Sequence, residues 1–124
     1  MGKAIVEDEL GKVNFPSENL TSKMIKLVRK VTDEVASKFP GGELEIYGHL
    51  KTESRVGVMY IPPKKHWYNF STARAFMSFK NEGIKELLVK VSPDPKYISD
   101  DLVAKVKKII TKNAIKLNIK IKFN

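Results

Sequence analysis

Residues 38–50 read KFPGGELEIYGHL, and the change of period inside this stretch decides the fold. Upstream of it, Leu20, Met24, Leu27 or Val28, Val31, Val35 and Phe39 recur at three- and four-residue spacing. That recurrence is one apolar helix face, with Lys23, Lys26, Arg29, Lys30, Asp33, Glu34 and Lys38 left for the outer face. Pro16-Ser17-Glu18 announces the helix, and Pro40-Gly41-Gly42 stops it, because proline cannot continue the hydrogen-bond ladder and glycine accepts the reversed backbone. From Glu43 the period is two. Leu44, Ile46, Gly48 and Leu50 alternate with Glu43, Glu45, Tyr47 and His49, the signature of a strand with one dry and one wet face.

The remaining elements follow from the same two periods. Thr52-Glu53-Ser54 reads as a hairpin connection into a strand from Arg55 to Ile61, which Pro62-Pro63 ends. Residues 64–70 are then a loop. Residues 71–80 alternate as a third strand, a short helix from Ser71 being the alternative, and Asn81-Glu82-Gly83 supplies turn residues. Residues 84–91 form a fourth strand, closed by Ser92-Pro93-Asp94-Pro95. Ser99 caps a second helix whose first turn holds Asp100 and Asp101, and whose buried stripe is Leu102, Val103, Val106, Ile109 and Ile110. In the tail, AIKLNIKIKFN, the residues Ile115, Leu117, Ile119, Ile121 and Phe123 alternate with Lys116, Asn118, Lys120 and Lys122, which predicts a last strand. The expected fold is therefore α+β in the order α-β-β-β-β-α-β. It is an antiparallel sheet of about five strands with two amphipathic helices packed on one face. Residues 1–16 read as an N-terminal arm or short edge strand, and 17–124 as one domain. The uncovered sheet face is expected to show Tyr47, His49, Arg74, Phe76, Lys116, Lys120 and Lys122.

Function concentrates in residues 60–80, YIPPKKHWYNFSTARAFMSFK, which hold six of the eleven aromatic residues, five basic or imidazole side chains and no carboxylate. Rings stack on any nucleobase and lysines follow the phosphates beside them. The competing reading makes Phe76 and Phe79 core and the lysines ordinary solubilising charge. The net charge of +9 is divided unevenly: residues 1–50 carry seven basic and eight acidic side chains, residues 51–124 sixteen and six. Such a one-sided field suits a polyanion. The expected site comprises Trp67, Tyr68, Phe70 and Phe76 as stacking rings, with Lys64, Lys65, His66, Arg74, Lys116, Lys120 and Lys122 toward phosphate. Only three residues are arginine. Few bidentate forks for guanine are available, which predicts weak sequence preference.

Other chemistries find little material. There is no cysteine, hence no disulfide or thiolate metal site, and no Gly-rich phosphate loop or nucleophile elbow. No apolar run approaches a membrane span and no secretory leader is visible, so a cytoplasmic protein is expected. No cofactor, metal, membrane or small-molecule substrate is implied. Glu43, Glu45 and His49 share a strand face and would be the carboxylates and imidazole of a metal-dependent nuclease. His66 beside Trp67 would be the general base of a metal-free ribonuclease of toxin type, the runner-up to a non-enzymatic binding protein. A third reading makes the aromatic loop a dimer interface. Small size, absence of cysteine, a basic second half and the loop PPKKHWYNF resemble the non-OB single-stranded DNA-binding proteins of hyperthermophilic archaea and their rod-shaped viruses. That resemblance spans 17–124 in composition and element order, with no fixed motif. It implies a homodimer that binds single-stranded DNA without sequence preference and without cofactor, while the residues by themselves fit single-stranded DNA or RNA.

Overall fold

The computed structural model describes residues 4–6, 20–39, 41–49, 55–62, 74–81 and 86–124. In chain order these form strand β1 (Ala4–Val6), helix α1 (Leu20–Lys38), and strands β2 (Glu43–His49), β3 (Arg55–Ile61), β4 (Arg74–Asn81) and β5 (Glu86–Val91), then helix α2 (Asp100–Lys116) and strand β6 (Lys120–Phe123). The six strands lie side by side in sequence order. β2 to β5 are antiparallel neighbours, as expected, whereas β1 runs parallel to β2 and β6 parallel to β5. The fold is α+β with both helices in one core on one side of a mostly antiparallel sheet. No helix among the described residues is long and apolar enough to cross a membrane.

The helix-side rows of the sheet are built by alternation. Gly48, Val56, Phe79, Val89 and Phe123 stand in one cross-strand row, and Ile46, Val58, Met77 and Val91 in the next. Against them pack Met24, Leu27, Val28, Val31 and Val35 of α1 and Val103, Val106, Ile109 and Ile110 of α2, in a single buried cluster. The α1 stripe is the one the periodicity marked. The stop after α1 also forms as the residue types require. Gly41 and Gly42 have φ of 109° and 62°, where side chains are disfavoured. A Cβ on Gly42 would meet the Ile61 carbonyl oxygen and come within 2.9 Å of the Tyr60 ring, so glycine there lets the incoming chain lie against β3.

Two expectations are corrected. The first concerns the tail, where α2 continues to Lys116 and leaves only Lys120–Phe123 as strand. The helix ends in a Schellman turn: Ile119 N–H donates to Ala114 O at 2.9 Å and Asn118 N–H to Ile115 O at 3.1 Å. Asn118 takes the left-handed conformation, φ 56°, which asparagine tolerates better than most residues. Ala114 and Ile119, the apolar pair of that turn, are both buried. Ile115, expected to face the core from a strand, is 73% exposed on the helix. At its other end the helix matches expectation, with Ser99 Oγ accepting from Leu102 N–H at 3.1 Å.

The second correction is a bulge. Val58 pairs with Met77 and Met59 with Ala75, so Phe76 is an extra residue on β4 with no partner on β3. Two consecutive side chains, Phe76 and Met77, therefore both enter the core, each 2% exposed. Beyond the bulge the alternation is reversed: Arg74 pairs with Tyr60, whose ring packs on the core, and so falls on the helix side. Phe76 O is taken by Ser92 N–H at 2.8 Å, which anchors the chain leaving β5.

The parallel edges carry a topological consequence. β1 and β5 run in opposite directions, yet each crossover steps the same way across the sheet and both helices share one face. The two crossovers are therefore of opposite hand, and one departs from the right-handed rule.

Since Asn118 is held at positive φ, Asn118→Gly is expected to leave stability unchanged or raise it. Asn118→Val should lower it by about 1–2 kcal/mol, the usual penalty of a left-handed conformation. Urea unfolding of the two variants checks both signs.

Candidate nucleic-acid interface

The face of the sheet turned away from the helices is defined by register. One cross-strand row reads His49, Arg55, Lys80, Leu88 and Lys122. The adjacent row reads Tyr47, Gly57, Ser78 and Lys90, and a third reads Glu45, Met59 and Ala75. On the other side of the first row, Glu86 pairs with Lys120. At the sheet spacing of about 4.8 Å per strand, Arg55 and Lys122 stand about 14 Å apart. Lys90, Lys120 and Lys122 are exposed, while Arg55, Lys80 and Tyr47 are half-buried. Among the described residues of β3 to β6 this face carries the cations Arg55, Lys80, Lys90, Lys120 and Lys122 and the carboxylate Glu86. Glu43 and Glu45 sit on β2, toward its start. The face is thus polarised, basic over four strands and acidic at one corner.

Tyr47 crosses onto the neighbouring strand. A Cβ on Gly57 would collide with the Cζ and hydroxyl of the Tyr47 ring and lie 2.8 Å from Cε1. The ring therefore lies down over the backbone of β3, in the space glycine leaves.

The expected site residues are divided by this geometry. Lys120 and Lys122 are on the open face. Lys116, expected beside them, belongs to the last turn of α2. Phe76, expected as a stacking ring, is in the core because of the bulge. Arg74, expected on the open face, is on the opposite side and donates from Nε to Asp94 Oδ2 at 3.1 Å. The same carboxylate accepts the Lys96 and Tyr97 amides through Oδ1, at 2.9 and 3.3 Å, so Arg74 braces the turn that leads to α2. Lys64, Lys65, His66, Trp67, Tyr68 and Phe70 lie outside the described residues. The strands that flank them end at Ile61 and begin at Arg74, six residues along β4 from Lys80, or about 20 Å of strand. Arg55, Lys80 and Lys90 are the members of the basic face that the expected site did not include. Arg55 is the single charge of β3 and Lys90 the single cation of β5, and only register aligns them with Lys80 and Lys122.

Beside Arg74, the half-buried rings of Tyr60 and Tyr97 pack with the buried ring of Phe76, Tyr60 meeting Phe76 edge-on at 6.4 Å and Tyr97 at 6.0 Å. Burial pushes the Tyr60 phenol above its ordinary pKa, and Tyr97 adds to the effect. The helix side also carries lysines, but part of that charge is committed. Glu34 of α1 accepts from Lys112 of α2 at 2.8 Å, from Lys38 at 3.0 Å and from Asn113 Nδ2 at 3.3 Å. The Lys112 hydrogen bond is the main cause that holds the Glu34 carboxyl down to about 2. Desolvation opposes it, and Lys38 and Asn113 add to it. Lys105 pairs with Asp101 at 3.1 Å.

Among the described residues no group of three or more His, Cys, Asp or Glu side chains could hold a metal ion. No family model, curated protein or solved structure matches this chain.

Two outcomes follow from these placements. Phe76→Ala should cost about 3–5 kcal/mol in urea unfolding, as for a core phenylalanine; a surface ring would cost less than about 0.5 kcal/mol. Glu34 has a folded pKa below its usual 4.5, so its contribution is complete above that pH and disappears as pH falls toward 2. Glu34→Gln is expected to lower stability at neutral pH by under about 1 kcal/mol. Denaturant titrations should show the gap to wild type closing as the buffer is taken from pH 5 to about pH 2.

Proposed function

We propose that the protein binds single-stranded nucleic acid, DNA in the first instance, along the helix-free face of its sheet and without sequence preference. The observation that carries this reading is the alignment of Arg55, Lys80, Lys90, Lys120 and Lys122 over four adjacent strands, of which Lys90, Lys120 and Lys122 are exposed. Ammonium groups spaced over a flat surface neutralise successive phosphates, and counterion release supplies most of the affinity. A sheet face suits a single strand better than a duplex, because extended bases can lie on it while no helix or ribbon is offered to a major groove. The acidic corner at Glu43 and Glu45 repels phosphate and confines the strand to the β3–β6 side. Trp67, Tyr68 and Phe70, with Lys64, Lys65 and His66, extend the same reading by residue type. The family resemblance adds a homodimer to the proposal, and the protein acts as a binding protein rather than a catalyst.

The test is fluorescence anisotropy with labelled oligo-dT. Phosphates neutralised at the exposed Lys90, Lys120 and Lys122 give a slope of log K against log salt of roughly −2, or about a twentyfold weakening between about 50 and 200 mM salt. Lys80→Glu/Lys90→Glu/Lys122→Glu should abolish binding and flatten the slope. Lys30→Glu/Lys108→Glu, on the outer faces of α1 and α2, should change little beyond the general loss of positive charge. Equal binding of duplex, no binding at low salt, or equal losses in the two variants would overturn the reading.

A further inference from the structure

We infer that the tip of α2 receives the nucleic acid as it leaves the sheet past β6, with Lys116 taking a phosphate and Ile115 packing against a base. The inference rests on the single-strand reading above and extends its footprint beyond the sheet face. Ile115 is 73% exposed, the one large apolar side chain so exposed among the described residues. Its surroundings are cationic. Residues 102–124 hold seven lysines and no acidic side chain. Lys116, Asn118 and Lys120 are exposed, and among the described residues neither lysine enters an ion pair. The turn after α2 sets these groups next to the sheet. Asn118 N–H donates to Ile115 O at 3.1 Å, and β6 starts two residues on at Lys120, which lies on the open face. β6 is the last strand of the sheet, so nucleic acid passing Lys122 and Lys120 meets the tip next. The helix end does not present bare carbonyls to a phosphate. The oxygens of Asn113, Ala114 and Ile115 accept from the N–H groups of Leu117, Ile119 and Asn118. An apolar side chain among unpaired ammonium groups is also selective about its partner. A second copy joined symmetrically at this tip would set Lys116 and Lys120 against themselves. A single strand instead alternates phosphates with apolar base faces, and isoleucine is among the side chains that wedge between bases.

The experiment measures salt slopes for oligo-dT and affinities for an abasic oligomer of the same length, which keeps the phosphates and lacks the bases. One further phosphate at Lys116 takes the wild-type slope from roughly −2 to roughly −2.8, and Lys116→Gln should return it to roughly −2. Lys108→Gln removes the same charge from the same helix, one to two turns short of the tip, and should leave the slope as in wild type. Ile115→Ala, at an exposed helical position, should weaken oligo-dT by roughly 4- to 15-fold, for one or two methylenes lost from contact, with abasic binding unchanged. Light scattering should give wild type and Ile115→Ala the same mass. The assignment is overturned, with the single-strand reading intact, if Lys116→Gln and Lys108→Gln keep equal slopes while Lys122→Gln flattens its own. It is overturned likewise if Ile115→Ala leaves oligo-dT binding unchanged or weakens the abasic oligomer equally. A smaller mass for Ile115→Ala would make the tip a contact between copies. Equal loss of poly-glutamate binding in Ile115→Ala would make its partner an acidic chain. If wild type binds no oligo-dT at low salt, both readings are overturned.

Discussion

Two helices share one core with one face of the sheet, and the rest of the structure follows from that one-sided burial. The row Gly48, Val56, Phe79, Val89 and Phe123 lies beneath α1 and α2. Each large apolar side chain it hides contributes about 1.5–3 kcal/mol. Because strand side chains alternate, every residue spent on that row fixes its neighbours on the opposite face. Burying Val56 and Phe79 turns Arg55 and Lys80 outward, and burying Val89 turns Lys90 outward. The basic face is thus the complement of the core: the lysines could not be moved to the other side without exposing the apolar row.

The bulge at Phe76 shows the same constraint with one residue added. Inserting a side chain into β4 brings Phe76 and Met77 into the core together and reverses the alternation toward Arg74. Arg74 is thereby taken from the open face and given to Asp94, where it supports the turn that launches α2. Ser92 N–H closes on Phe76 O from the same turn. A single insertion therefore couples the β4 edge to the placement of the second helix, and leaves Ala75 and Ser78 as a low floor beside Tyr47.

Much of this was legible in the residues. The stripe of α1, the Gly41-Gly42 stop, the strands β2 and β3 and the Ser99 cap all rest on local signals, and each forms as those signals require. The tail was not legible by pattern, because residues 114–124 satisfy a twofold period while α2 runs through the first three of them. Asn118 is the local mark of the true boundary, and it acts through its backbone conformation rather than through hydrophobicity. The bulge leaves no trace in the alternation of 71–80, since Phe76 is apolar whichever face it takes. Parallel pairing of β6 with β5, and of β1 with β2, is non-local and follows from where the helices pack. Lys120 and Lys122 could be read from the tail pattern, but Arg55 and Lys90 join them only through register across four strands.

The account stands on the claim that a nucleic acid strand lies on the helix-free face and not on the helices. Lysine acetylation footprinting, read by mass spectrometry with and without saturating oligo-dT, tests that claim residue by residue. Protection is expected at Lys80, Lys90, Lys120 and Lys122, with Lys30 of α1 and Lys108 of α2 modified at unchanged rates. Protection of Lys30 and Lys108 with the four sheet lysines left reactive, or uniform protection of all six, would contradict it.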